Sequence, residues 1–185
     1  MKKKVKLFTT IASLCLAVSL MAFGVYAATR EIPANVSGTV SFEASNINGE
    51  WTQVKVDLTD GTFADEAAGT SRTIDTKSSD RFTVPAIKID AQEDVEKPTV
   101  TIKLTASFKN TSDTVKALLT ATKANTGNTE TNVTVAYSGT DAAGIEAAAN
   151  KAITTIEVTI TYTVQQNWAA ASAAFDIVFK AAKAA

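Results

Sequence analysis

Histidine does not occur in this chain, and its one cysteine, Cys15, lies in an apolar run near the N-terminus. These two absences remove most hydrolytic chemistry together. Without histidine there is no Ser-His triad, no imidazole-ligated zinc and no H-E-x-x-H helix. A Ser-Lys dyad fails as well, because no S-x-x-K spacing occurs. Paired carboxylates of the glycosidase kind remain, but the acidic residues fall mostly in turns or at outward strand positions. The residues therefore predict no catalytic site, no metal site and no cofactor.

What is present first is a leader. Lys2, Lys3, Lys4 and Lys6 precede an apolar run from Ile11 to Phe23, followed by Gly24-Val25-Tyr26-Ala27. That is the layout of a secretory signal peptide, with Val25 and Ala27 as the small residues before the cut. Residues 1–27 are read as the signal and 28–185 as one domain. An uncleaved anchor is the competing reading, since Leu7 to Ala28 could just span a bilayer. Cys15 is preceded by the bulky Leu14, which argues against lipid attachment there. Cleavage leaves a mature chain with no cysteine, so the implied location is extracellular or at the cell surface, of a kind that suits a Gram-positive bacterium. It also leaves no stable membrane insertion.

Positive charge is scarce once the leader is gone. The chain has 18 basic and 19 acidic residues; losing four lysines leaves 14 against 19, a net of −5. No basic cluster interleaved with aromatics survives, so no nucleic acid is expected as a partner. Only Ala181-Ala182-Lys183-Ala184-Ala185 follows Lys180, with no sorting motif, so attachment to a surface is expected through assembly or non-covalent contacts.

The mature chain alternates. Val100, Ile102, Leu104, Ala106 and Phe108 alternate with threonines, Ser107 and lysines, which is the period-two signature of a strand with one buried face. Asn110-Thr111-Ser112-Asp113 then supplies turn chemistry, and Val115 to Ala121 reads as the returning arm of a hairpin. The same alternation marks strands at Val40 to Ala44 and Val54 to Leu58, read as a pair, and at Phe82 to Asp90, Val133 to Tyr137, Ile156 to Val164 and Phe175 to Phe179. Phe63 to Arg81 has no sustained period, although a short strand near Arg72 to Thr76 would shorten that excursion. The alanines of residues 141–150 predict one short helix. About eight strands, each with one apolar face, predict an all-β, two-layer antiparallel β-sandwich of jelly-roll or Ig-like type, with a barrel as the alternative.

Candidate binding residues are few. Exposed indoles stack on sugar rings, so Trp51 and Trp168 are candidate glycan-stacking residues; Trp51 is in phase with outward Lys55. The plainer reading has both rings covering an edge or plugging the end of the sandwich. Asp57, Asp60, Asp65 and Glu66 form one acidic cluster and Asp90, Glu93, Asp94 and Glu96 another, candidate calcium sites at most, but the first lacks the glycine register of an EF-hand loop and turns are commonly acidic for solvation. Lys55, Lys88, Lys103, Lys109 and Lys180 alternate with inward apolar residues, which places them in solvent and argues against buried Lys-Asn isopeptide bonds.

The leader, with its lysine start and its Phe23-Gly24-Val25-Tyr26-Ala27-Ala28 end, and the stretch Leu104 to Asp113, LTASFKNTSD, resemble secreted bacterial matrix proteins of the TasA and camelysin type. The resemblance implies a jelly-roll-like sandwich assembling into extracellular fibres, each subunit receiving its neighbour's N-terminal segment as an added strand. Ala28, Ile32 and Val36 would then mark the assembly arm. Camelysins have also been classed as metallopeptidases, an activity that a chain without histidine does not support. The expected function is a secreted, non-enzymatic structural protein of the matrix or cell surface, with self-association or other surface proteins as partners; a glycan-binding or adhesive module is the alternative. Mass spectrometry of the protein from culture supernatant is expected to give Ala28 as its first residue, and an intact leader would contradict the reading.

Overall fold

The alternation over 99–110 and 153–164 asks for strands with one dry face, and both segments are strands in the computed structural model of the protein. The chain divides into two units, Met1–Glu31 and Ile32–Ala185. The structure describes residues 35–65, 69–76, 80–89, 99–125, 133–164 and 172–184, all in the second unit. Eleven strands account for most of them: β1 (Asn35–Ser45), β2 (Gly49–Thr59), β3 (Gly61–Phe63), β4 (Ser71–Asp75), β5 (Arg81–Ile89), β6 (Thr99–Asn110), β7 (Ala117–Asn125), β8 (Val133–Ser138), β9 (Ile145–Ala147), β10 (Ile153–Val164) and β11 (Ser172–Lys183).

They form a two-layer β-sandwich, as the alternation requires. One sheet has six strands in the order β3-β5-β1-β11-β7-β9, and the other has five in the order β4-β2-β6-β10-β8. Odd-numbered strands thus make one sheet and even-numbered strands the other, so each strand lies opposite its successor. Two expected pairings are corrected by this. The segments around Asn110 do not form a hairpin: β6 pairs β2 and β10, whereas β7 pairs β11 and β9. Likewise β1 and β2 lie in opposite sheets. Most pairings are antiparallel; β1 and β11 run parallel, in unbroken register from Asn35↔Ser172 to Ser45↔Ala182.

The inward residues of both sheets meet in a single core that includes Val40, Val56, Ile102, Leu104, Val158, Ile160, Ile177 and Phe179. Each large apolar side chain so buried contributes about 1.5–3 kcal/mol. An aromatic cluster fills one region of it. Phe42 stacks on Phe179 with ring centroids 5.8 Å apart, and Trp51 lies 5.4 Å from Phe42 and 5.1 Å from Phe108. Gly38 faces inward beside Phe175 of the adjoining strand, and a Cβ there would stand 2.0 Å from the phenyl ring. The phenyl ring takes the volume that a side chain on β1 would need.

The helix expected over 141–150 is not formed. Ile145–Ala147 is a strand instead, pairing with Leu119, Leu118 and Ala117 of β7 and burying Ala147 completely. Asp141 at one end and Asn150 and Lys151 at the other adopt positive φ, which breaks a helix on both sides. Ten alanine-rich residues are too few to hold a helix without packing, so the sheet edge decides. The excursion from 63 to 81 does contain a strand, β4, at the place where one would shorten it.

Asn110 ties these crossings together. It is fully buried, and its amide nitrogen lies 2.8, 3.1 and 3.3 Å from the carbonyl oxygens of Val115, Ala148 and Ala147. Its Oδ1 accepts from the Ser112 N–H at 3.0 Å, and its own N–H donates to the Ala152 carbonyl at 3.1 Å. Next to it the Thr111 N–H donates to Asn48 at 2.9 Å. One side chain therefore closes the β6–β7 crossing and holds the β9–β10 turn against it. Replacing Asn110 by alanine leaves several of these groups buried and unpaired, so denaturant titration is expected to show a loss of about 1–3 kcal/mol or more; unchanged stability would show that the side chain is dispensable.

Candidate functional site

Site residues taken from sequence are placed unevenly by the fold. Ala28, Ile32 and Trp168 lie outside the described residues, as do Glu66 and the acidic residues from Asp90 to Glu96. Val36 is not part of a free arm. It is the second residue of β1, pairs with Ala173 and Ile87, and is 1% exposed in the core.

Trp51 is also corrected. The expected phase puts it outward with Lys55, but it is 7% exposed, with its ring in the aromatic cluster and its Nε1–H donating to the Glu43 carbonyl at 3.1 Å. A β-bulge causes the reversal. Trp51 pairs with Phe108 and Gln53 with Ser107, so Thr52 is an extra residue on β2 and the side-chain phase flips there. The freed carbonyls are taken up by Thr76: its hydroxyl donates to Trp51 and its N–H to Thr52. The indole plugs the sandwich interior, in line with the plainer of its two readings.

The first acidic cluster does not converge. Asp57 accepts from Ser71 at 2.6 Å and lies 2.8 Å from Lys55 Nζ. Asp65 pairs with Arg72, whose guanidinium sits 4.3 Å over the Phe63 ring. Asp57 and Asp65 thus serve different cations, and the described residues hold no group of three or more potential metal ligands from His, Cys, Asp and Glu. The lysines read as solvated are so: Lys55, Lys103, Lys109 and Lys180 keep between 39% and 49% of their side chains exposed. Lys103 meets Glu157 at 2.9 Å and Lys180 meets Glu43 at 3.2 Å across neighbouring strands. Such exposed pairs set register more than stability.

The bulge that turns Trp51 inward also shapes the outer face of the five-stranded sheet. A depression of about 540 Å³ crosses β4, β2, β6 and β10 there, lined among others by Glu50, Gln53, Asp75, Ser107, Lys109 and Ile153. Register places these side chains in two rows, Glu50-Lys109-Ile153 and Asp75-Gln53-Ser107. Lys109 Nζ lies 3.9 Å from Glu50 Oε1, and Ile153 is 63% exposed. A smaller hollow of about 280 Å³ on the other side of Glu50 is lined by Phe42, Gly49, Thr76 and Asp80. Sequence reasoning missed the groove because its residues come from four strands whose order is not written in the chain. The one local signal was Trp51, an aromatic out of phase with its expected partners.

On the inner face of the same sheet, the Tyr162 hydroxyl of β10 is buried with no hydrogen-bond partner among the described residues. Burial pushes its ionisation far above that of an ordinary phenol, with Tyr137 nearby adding to the effect. It is a neutral donor at every physiological pH.

The hydrogen bonds from Lys55 and Ser71 hold the Asp57 carboxyl below the ordinary 3.8 of an aspartate. A depressed carboxyl stabilises the fold fully above the unfolded value and loses that contribution as pH falls through its folded value. Stability measured from pH 7 down to pH 2 is therefore expected to fall less in Asp57→Asn than in the native chain; identical pH profiles would show that these bonds do not persist in solution. No protein-family model matches this chain, and no curated protein does either, so the case for its function rests on these residues and their geometry.

Proposed function

We propose that the protein is a secreted structural protein of the bacterial extracellular matrix or cell surface, without catalysis of its own, that self-associates by strand addition. The observation that supports this most is the position of β1. It is the first strand among the described residues, yet it lies in the middle of the six-stranded sheet, between β5 and the parallel β11. Residues 28–34 are therefore continuous with a strand held on both sides. An arm rooted in this way would carry load from a neighbouring subunit into the centre of a sheet rather than into a frayed edge.

Strand addition works through backbone hydrogen bonds, so it needs an extended arm and an edge more than it needs a particular side chain. Among the described residues both sheets end on short strands, β3 and β9 in one and β4 and β8 in the other, and short edges limit indiscriminate pairing while leaving backbone that a matched segment can extend. The absence of histidine, and of cysteine after residue 15, agrees with a role in which surface and assembly matter and reactive groups do not.

Because Val36 belongs to the core, the arm that this reading assigns to exchange is 28–34, with Ile32 as its one large apolar residue. Mature protein examined by electron microscopy and sedimentation velocity is expected to form filaments or large oligomers, and Ile32→Asp to shift it toward monomer with an unchanged melting temperature. A mature protein that stays monomeric under all conditions overturns the proposal.

A further inference from the structure

We infer that the groove on the outer face of the five-stranded sheet is a binding site for a neutral oligosaccharide. The inference does not depend on assembly. The bulge at Thr52 lies in its lining: bulges raise the local twist and re-aim the flanking side chains, and here Gln53 points outward while Trp51 is buried. Its volume of about 540 Å³ falls within the range of ligand sites, about 300–1,000 Å³.

The lining selects the ligand class. Glu50 and Asp75 offer carboxylate acceptors, Lys109 a donor, and Gln53 both kinds of group on one planar amide, all from adjacent strands. A ligand whose hydroxyls both donate and accept can satisfy such a set without bringing charge of its own. The described lining carries carboxylates at Glu50 and Asp75 and one ammonium at Lys109, a set that favours a neutral ligand over nucleic acid or acidic polysaccharide. The lining is too polar to reward an apolar small molecule.

Ile153 supplies the remaining element. It is 63% exposed and stands beside Lys109 on the next strand, so it presents an apolar surface at the end of the row of polar groups. A pyranose ring has this mixed character, with hydroxyls around its edge and C–H groups on its faces. The groove crosses four strands and is open to solvent along its length, which suits several linked sugars rather than one enclosed sugar.

The test uses the mature protein and isothermal titration with neutral hexasaccharides of glucose, xylose, mannose and N-acetylglucosamine, alongside an oligolysine peptide. At least one hexasaccharide is expected to bind, with affinity reduced about tenfold or more in Gln53→Ala and in Ile153→Ser. Both positions are exposed, so melting temperatures should stay at the native value, and Lys180→Ala on the other sheet should leave binding unchanged. No binding of any hexasaccharide, binding unaffected by both groove variants, or binding of the peptide in place of the sugars would each overturn the inference.

Discussion

The constraint on which this structure depends is that each described strand is followed by one in the other sheet. Odd strands lie in one layer and even strands in the other, so described links such as β1–β2, β6–β7 and β9–β10 pass between layers and bring polar backbone with them. Asn110 shows how that cost is met. Its side chain supplies donors to three carbonyls and an acceptor to one N–H at the place where the β6–β7, β9–β10 and β1–β2 connections come together. With those groups satisfied, the apolar faces of both layers can close without leaving water inside.

The bulge at Thr52 is the second determinant, and it acts in both directions. On the inside it delivers the indole of Trp51 to Phe42, Phe108 and Phe179. On the outside it presents Gln53 beside Asp75 and Ser107. Packing and surface recognition thus share one inserted residue. A substitution that removed the bulge would put a large aromatic ring into solvent and flatten the groove in the same step.

Much of the fold was legible in the chain because period-two alternation reports directly on burial. The inward faces of β6 and β10 can be read residue by residue, and so can the outward lysines. What alternation does not report is pairing partner. Asn110-Thr111-Ser112-Asp113 has the chemistry of a turn whether the chain returns to the same sheet or crosses to the other, and only the distant acceptors at Ala147 and Ala148 decide between them. Alanine preference misleads at 145–147 for a related reason: β7 offers backbone partners there that no local rule contains. The phase of Trp51 fails because one inserted residue reverses every side chain beyond it. The groove shares this illegibility, being made of side chains from four strands brought together by order and register alone.

The pairing of β1 with β11 carries a consequence for how the molecule comes into being. Residue 35 finds its partner at residue 172, and no two consecutive strands are partners anywhere among the described pairings. Folding therefore has no local hairpins on which to begin; ordering must wait for loop closure over long stretches, and chains with such topology fold slowly. A chain synthesised N-terminus first would hold β1 with one side unfilled until β11 was made. The finished six-stranded sheet is in this sense a timer: it cannot close around β1 until β11 has arrived.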